Sequence, residues 1–135
     1  MLRIEHLGIA VKDLAGSNDL FAKLLGELPY KTETVESEKV STSFFKIGES
    51  KIELLQASNP DSAIAKFIEK RGEGIHHIAF EVENIENEIQ RLLAEGFQPT
   101  GSSTQPFKGA DNKLVFFFHP KTTNGVLIEL CQEIK

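Results

Sequence analysis

The sequence contains a single cysteine, Cys131, among its 135 residues. One cysteine excludes an intramolecular disulfide framework, and we expect a reducing, cytoplasmic compartment. No apolar run is long enough to cross a bilayer as a helix. Because a strand pattern already begins at Leu2, we expect no signal or transit peptide.

The sequence also lacks an excess of positive charge. Its 15 Lys and Arg residues stand against 20 Asp and Glu, for a formal net charge of -5, which argues against a nucleic-acid partner. It has no glycine-rich phosphate-binding motif and no nucleophile elbow. With 40% hydrophobic and 26% charged residues, the chain is suited to a globular core rather than to disorder.

What the sequence does contain is an internal repeat. When His77 is placed on His6, Val82 aligns with Val11, and a helical pattern follows in both copies. Bulky residues alternate with small ones in both strands, and successive strand residues face opposite sides. We therefore expect the bulky faces to pack on helices and the small-residue faces, with both histidines, to line a pocket. By the same alternation His76 lies on the packing side.

Each copy predicts the order β-α-β-β-β, and the fold class is α+β. We expect a single domain over residues 1–135, in which the two modules form a cupped mixed sheet around a metal site. Module one covers about 1–57, a connector helix about 60–72 and module two about 74–133. Asp13 is the expected N-cap of the first helix and Gly26 its end. In module two we expect a short strand at Gln98–Thr100 and a polar loop at Gly101–Gly109.

The modules also end alike, with an Ile-Glu-Leu core around Glu53 and around Glu129. A carboxylate within an apolar strand is costly unless it is paired. Taken singly, a strand histidine is commonly a hydrogen-bonded structural residue and a strand glutamate often faces solvent. Four such residues at equivalent positions instead favour a divalent-metal site with open positions, made by His6, Glu53, His77 and Glu129.

Other chemically active side chains have simpler explanations. We expect His76 to be structural or to support a metal ligand, and His119, beside a proline, to be a turn residue. Cys131 has no evident base nearby in the pattern, so we expect no nucleophilic role.

At these residues the chain resembles the vicinal oxygen chelate superfamily, which has the glyoxalase and bleomycin-resistance fold. More narrowly, it resembles the methylmalonyl-CoA epimerases. The similarity covers nearly the whole chain. It is carried by the segments Ile4–Val11, Lys51–Leu55, Gly74–Ile78 and Phe118–Leu130.

The resemblance implies a CoA thioester substrate, methylmalonyl-CoA, that is inverted at its α-carbon through an enolate-like intermediate. It implies a divalent cation, cobalt by family with zinc, manganese or nickel as alternatives, and a homodimer. Glu129 matches the family's last-strand glutamate, which acts on one face of the substrate. The alternatives are a lactoylglutathione-lyase-like isomerase and a binding protein of the same fold without catalysis.

One departure from the family concerns the second acid/base. Some members carry another glutamate where this sequence has Thr42. Of the carboxylates just upstream, Glu38 is favoured over Glu36 because it shares the expected strand parity of Thr42. The alternative is that water or Glu53 carries the second proton.

Overall fold

The computed structural model describes residues 1–135, which form eight strands and three α-helices. The strands are β1 Arg3–Ala10, β2 Lys31–Val35, β3 Val40–Ile47, β4 Ser50–Ala57, β5 Gly74–Glu81, β6 Phe107–Lys108, β7 Lys113–Phe118 and β8 Leu127–Glu133. The helices are α1 Leu14–Leu25, α2 Ala63–Arg71 and α3 Ile85–Ala94, and short 3-10 turns lie at Ala110–Asn112 and Pro120–Thr122. The predicted α+β class and the repeated β-α-β-β-β order are confirmed. None of the helices has the length and apolarity of a transmembrane span.

The chain forms two compact units. The amino-terminal unit is His6–His76, and the carboxy-terminal unit consists of Met1–Glu5 and His77–Lys135. The first contains the strand order β2-β3-β4-β1 and the second β5-β8-β7-β6. In each, the first strand of the module pairs in parallel with the last, and the other pairs are antiparallel. The mixed pairing is therefore as predicted, while the bounds 1–57, 60–72 and 74–133 stay predictions.

In the amino-terminal unit the bulky face of β1 packs on α1, as its alternation predicts. Ile9 and Val11 contact a cluster built on Phe45 and Leu54, which the apolar side of α1 covers. The opposite face is less open than expected. Ala10 is fully buried against Ile64 of α2, so the connector helix covers one end of the small-residue face.

The carboxy-terminal unit repeats this arrangement with α3. Val82 lies at the end of β5 and packs with apolar residues of α3, β7 and β8, namely Ile85, Ile89, Leu92, Phe116, Phe118 and Leu130. Phe117 points the other way and packs with Ala79. The helix that follows each repeated strand thus buries the bulky face of that strand.

One local prediction is wrong. No strand covers Gln98–Thr100, where Pro99 makes only an isolated bridge to Phe118. A proline has no N–H to donate to a strand ladder, which limits pairing there. The short strand of this module is instead Phe107–Lys108, inside the expected loop, where it pairs with β7. Asp13 is the N-cap residue of α1, as predicted, although its side chain makes no capping hydrogen bond.

Gly26 does end α1 as predicted. Its φ of 76° lies in the left-handed region that favours glycine, and its N–H donates to the Ala22 carbonyl. The connector helix begins at Ala63, where the Ser62 side chain accepts a hydrogen bond from the Ile64 N–H.

Candidate functional site

His6 and Glu53 form a buried pair in the amino-terminal unit. The parallel register of β1 and β4 places Gly8 opposite Glu53, so Glu53 and His6 share one face of the sheet and no side chain of Gly8 separates them. Nε2 of His6 lies 3.2 Å from Oε1 of Glu53, and the two side chains are only 6% and 5% exposed. The ring of Phe44, opposite Glu53 on β3, stands edge-on to the imidazole at 6.4 Å between centroids, and Tyr30 lies beyond it at 6.1 Å.

His77 and Glu129 repeat this geometry in the carboxy-terminal unit. Ala79 of β5 stands opposite Glu129 of β8, as Gly8 does in the first unit. Nε2 of His77 lies 3.1 Å from Oε1 of Glu129, and the side chains are 3% and 7% exposed. Phe117, opposite Glu129 on β7, stands edge-on to His77 at 6.0 Å, and Phe107 lies 6.2 Å from Phe117. Each module therefore builds the same buried imidazole–carboxylate pair with two aromatic rings beside it.

The aromatic pairs were not predicted from the sequence. Tyr30 and Phe44 stand on β2 and β3 or immediately before them, whereas Phe107 lies in a strand of only two residues. Phe44 precedes Glu53 by nine residues and Phe117 precedes Glu129 by twelve, so aligning the two Ile-Glu-Leu strands does not match the rings. Without the register of the neighbouring strand, neither ring could be placed opposite its glutamate.

One hydrogen bond distinguishes the two modules. Oγ1 of Thr42 donates to Oε2 of Glu53 at 2.9 Å, and Thr42 is fully buried. Thr42 precedes Phe44 by two residues, just as Val115 precedes Phe117 in the second module. Because valine has no hydroxyl, Val115 offers Glu129 no equivalent donor. Thr42 was noted in the sequence only as the absence of a glutamate, and its contact with Glu53 was not predicted.

The remaining candidates, two histidines and the cysteine, make contacts outside the two imidazole–carboxylate pairs. The ring of His76 packs edge-on against Phe67 of α2, with 4.9 Å between centroids. His119 caps the 3-10 turn that follows it, where Nδ1 accepts a hydrogen bond from the Lys121 N–H at 3.0 Å. Cys131 is fully buried, and its thiol donates to the Phe80 carbonyl at 3.6 Å. An inaccessible thiol gives no support to a nucleophilic role.

A cavity of about 280 Å³ opens beside Phe117 in the carboxy-terminal unit. It is lined by the segment that leads into β6, by the first residue of β6 and by two phenylalanines of β7, namely Thr100, Gly101, Ser103, Gln105, Pro106, Phe107, Phe116 and Phe117. Since Phe117 is the direct strand partner of Glu129, the cavity adjoins the strand pair that carries this carboxylate.

Residues 5–117 match the Glyoxalase/Bleomycin resistance protein/Dioxygenase superfamily. The chain is 39% identical over 131 residues to the ethylmalonyl-CoA/methylmalonyl-CoA epimerase of Cereibacter sphaeroides, covering 96% of this chain and 97% of the relative. The chain belongs to this superfamily and to the methylmalonyl-CoA epimerase family within it. The family resemblance read from the sequence is thus confirmed.

Two further comparisons agree, one of sequence and one of structure. The uncharacterized protein YqjC of Bacillus subtilis (strain 168) is 38% identical over 132 residues, covering 98% of this chain and 93% of the relative. A solved structure of a methylmalonyl-CoA epimerase in complex with methylmalonyl-CoA and NH4+ superposes with a TM-score of 0.93 at 32% identity. That superposition covers 98% of this chain and 95% of the other.

Proposed function

We propose that this chain is a methylmalonyl-CoA epimerase that inverts the α-carbon of its substrate with the help of a divalent metal. The observation that carries the proposal is the repeated buried pair, His6 with Glu53 and His77 with Glu129. Membership of the epimerase family indicates methylmalonyl-CoA as the substrate. The retention of both pairs counts against a binding protein of this fold that has lost its catalytic metal.

The four side chains are the proposed metal ligands. Imidazole nitrogens and carboxylate oxygens together suit cobalt, zinc, manganese or nickel, and the family favours cobalt. In each pair a nitrogen and an oxygen stand 3.2 Å or 3.1 Å apart, with both side chains shielded from water. A buried carboxylate is costly without a cationic partner, and a bound cation would remove this cost for Glu53 and Glu129.

Methylmalonyl-CoA carries an acidic C–H between a carboxylate and a thioester carbonyl. The bound cation supplies electrostatic stabilisation of the negative charge that develops on the substrate oxygens. Glu129 takes the α-proton on one face. As the C–H bond breaks, its electron pair moves into the thioester to give an enolate, and the proton passes to the Glu129 carboxylate. Return of a proton to the opposite face then completes the inversion.

Strand parity no longer supports Glu38 as the residue serving that opposite face. Residues 36–39 form a turn between β2 and β3, and Lys39 has a left-handed φ of 57°. The alternation that linked Glu38 with Thr42 is therefore interrupted before β3 begins at Val40. Thr42 has no group that titrates in the neutral range. We therefore propose water or Glu53, the alternatives weighed from the sequence, as the second proton carrier.

The further expectations stay predictions. We propose that the cavity beside Phe117 receives part of the CoA thioester, because it adjoins the strand pair of Glu129. The homodimer, the cytoplasmic location and the function of residues 1–135 as one domain rest on family analogy and on the single cysteine.

The test is exchange of the α-proton of methylmalonyl-CoA in deuterated water, followed from each epimer separately. The chain stripped of metal and the same chain with added Co²⁺ are compared. Deuterium incorporation that depends on Co²⁺, together with interconversion of the epimers, is the expected result. The hemithioacetal of methylglyoxal and glutathione serves as the second substrate. If only that compound turned over, the chain would be a lactoylglutathione-lyase-like isomerase, and binding without exchange would overturn the enzymatic assignment.

A further inference from the structure

The two carboxylate oxygens of Glu53 have different neighbours. Oε2 accepts the hydrogen bond from Oγ1 of Thr42 at 2.9 Å, whereas Oε1 lies 3.2 Å from Nε2 of His6. A carboxylate turns readily about its last side-chain torsion unless one oxygen is held. The Thr42 hydroxyl holds Oε2, and this fixes the direction in which Oε1 presents its lone pairs.

The hydroxyl is not required by the fold at this position. The second module has the same strand pairing and the same edge-on phenylalanine, but Val115 stands where the first module has Thr42. Val115 packs with Ala79, Cys131 and Phe117 in an apolar cluster. A β-branched side chain of this size therefore meets the packing need in one module without a polar atom. The hydroxyl in the first module calls for another explanation.

We propose that Thr42 is a positioning residue, which orients Glu53 as a metal ligand through a single oxygen. Because Oε2 accepts the hydrogen bond from Thr42, Oε1 is the oxygen turned toward Nε2 of His6, and it is the one proposed to bind the cation. Hydrogen bonds to ligating carboxylates of this kind set the orientation and the basicity of the ligand. The inference rests on the proposed function, since it assumes that Glu53 is a ligand.

The test measures the affinity of the metal-free chain for Co²⁺ by competition with a chromophoric chelator. Thr42→Val removes the hydroxyl while keeping the shape, and it copies the residue that the second module uses. We expect it to weaken Co²⁺ binding by at least about 10-fold, the usual effect of losing such a partner, and to change the visible spectrum of the bound cobalt. Thr42→Ser retains the hydroxyl and is expected to bind within about 3-fold of the unsubstituted chain, well short of that effect.

Ser43 provides a matched control on the same strand. It is as fully buried as Thr42, but it faces the opposite side, where its strand partner Leu54 belongs to the cluster under α1. Its Oγ has no hydrogen-bond partner. Ser43→Ala therefore removes an equally buried hydroxyl from β3 without touching Glu53, and it should leave the cobalt affinity and spectrum unchanged.

Thermal unfolding of the metal-free variants separates folding from ligand orientation. If Thr42→Val were unfolded, Thr42→Ala would make the same comparison with a smaller side chain. Unaltered cobalt affinity and spectrum in a folded Thr42→Val would overturn the inference, as would a Thr42→Ser that binds as poorly as Thr42→Val. An unsubstituted chain that binds no Co²⁺ would overturn the metal site itself, whereas intact cobalt binding without α-proton exchange would overturn only the epimerase activity.

Discussion

The side-chain oxygen of Gln132 accepts a 2.7 Å hydrogen bond from the N–H of Ile85, the first residue of α3. Gln56 makes the same contact with the N–H of Leu14, the first residue of α1, at 2.6 Å. Both glutamines lie three residues after the strand glutamate of their module. The first N–H groups of a helix have no partner within the helix, so these strands supply an acceptor for the helix that packs behind them.

We expect Gln132→Ala to destabilise the protein by about 1 kcal/mol, because it leaves the Ile85 N–H without its acceptor. Thermal unfolding should show a melting temperature lower by roughly 2–8 °C. Gln90 is an exposed glutamine on α3, and Gln90→Ala is the matched control, expected to be nearly neutral. Equal melting temperatures for the two variants would show that the hydrogen bond contributes nothing to stability.

These glutamines also bear on the N-cap of α1. Asp13 has the residue type and the position of an N-cap, but its side chain does not cap α1, and Gln56 supplies an acceptor at Leu14. The contact joins residues 42 positions apart, which a local capping rule does not consider. A repeat was nevertheless visible, because a glutamine follows Ile-Glu-Leu and one further residue in both modules.

The alternation of large and small residues predicted the modules well because it reports directly on burial. It assigned Ile9 and Val11 to the face under α1, where they lie. The alternation did not reveal that α2 covers Ala10. The position of a connecting helix depends on tertiary packing, here on that of Ile64 and its neighbours. A two-residue strand such as Phe107–Lys108 has no periodicity to detect. The hydrogen bond from Thr42 to Glu53 likewise depends on side-chain geometry, which the alternation of residues does not report.

Metal content should depend on His6 and His77 and not on His76. His6→Ala and His77→Ala each remove a proposed ligand, and we expect the affinity for Co²⁺ to fall by at least about 10-fold. His76→Ala is the matched control because its ring packs on Phe67 of α2. Metal analysis after dialysis measures the outcome. Loss of metal from His76→Ala with retention by His77→Ala would mean that the wrong histidine of the pair has been assigned.

Glu38→Gln should leave proton exchange within about 3-fold of the unsubstituted rate from either epimer, far from the effect of losing an acid/base. The reason is that residues 36–39 form a turn, so strand alternation does not place Glu38 beside Thr42. The measurement is α-proton washout in deuterated water, started separately from each epimer. A variant in which washout slowed from one epimer alone would restore Glu38 as the second base.

Glu129→Gln tests the separation of metal binding from proton transfer. An amide oxygen can still ligate a cation weakly, but it cannot accept the α-proton, so turnover should fall by about 10²–10⁴-fold. Co²⁺ occupancy at saturating metal should fall much less. Glu133→Gln is the control on the same strand, since Glu133 lies on the same face of β8 as Glu129 but is exposed at the end of the strand. It should leave both quantities unchanged.

The unsubstituted chain and Glu129→Gln must be compared at Co²⁺ concentrations that saturate both, so that kcat is not lowered merely by an empty site. With occupancy equalised, the residual loss of turnover in Glu129→Gln measures the proton-transfer role alone. Restoration of full activity by added Co²⁺ would mean that the carboxylate acts only as a ligand, and the base would then have to be sought elsewhere. Persistent loss at full occupancy is the expected result if the buried carboxylate of Glu129 is both ligand and base, as proposed.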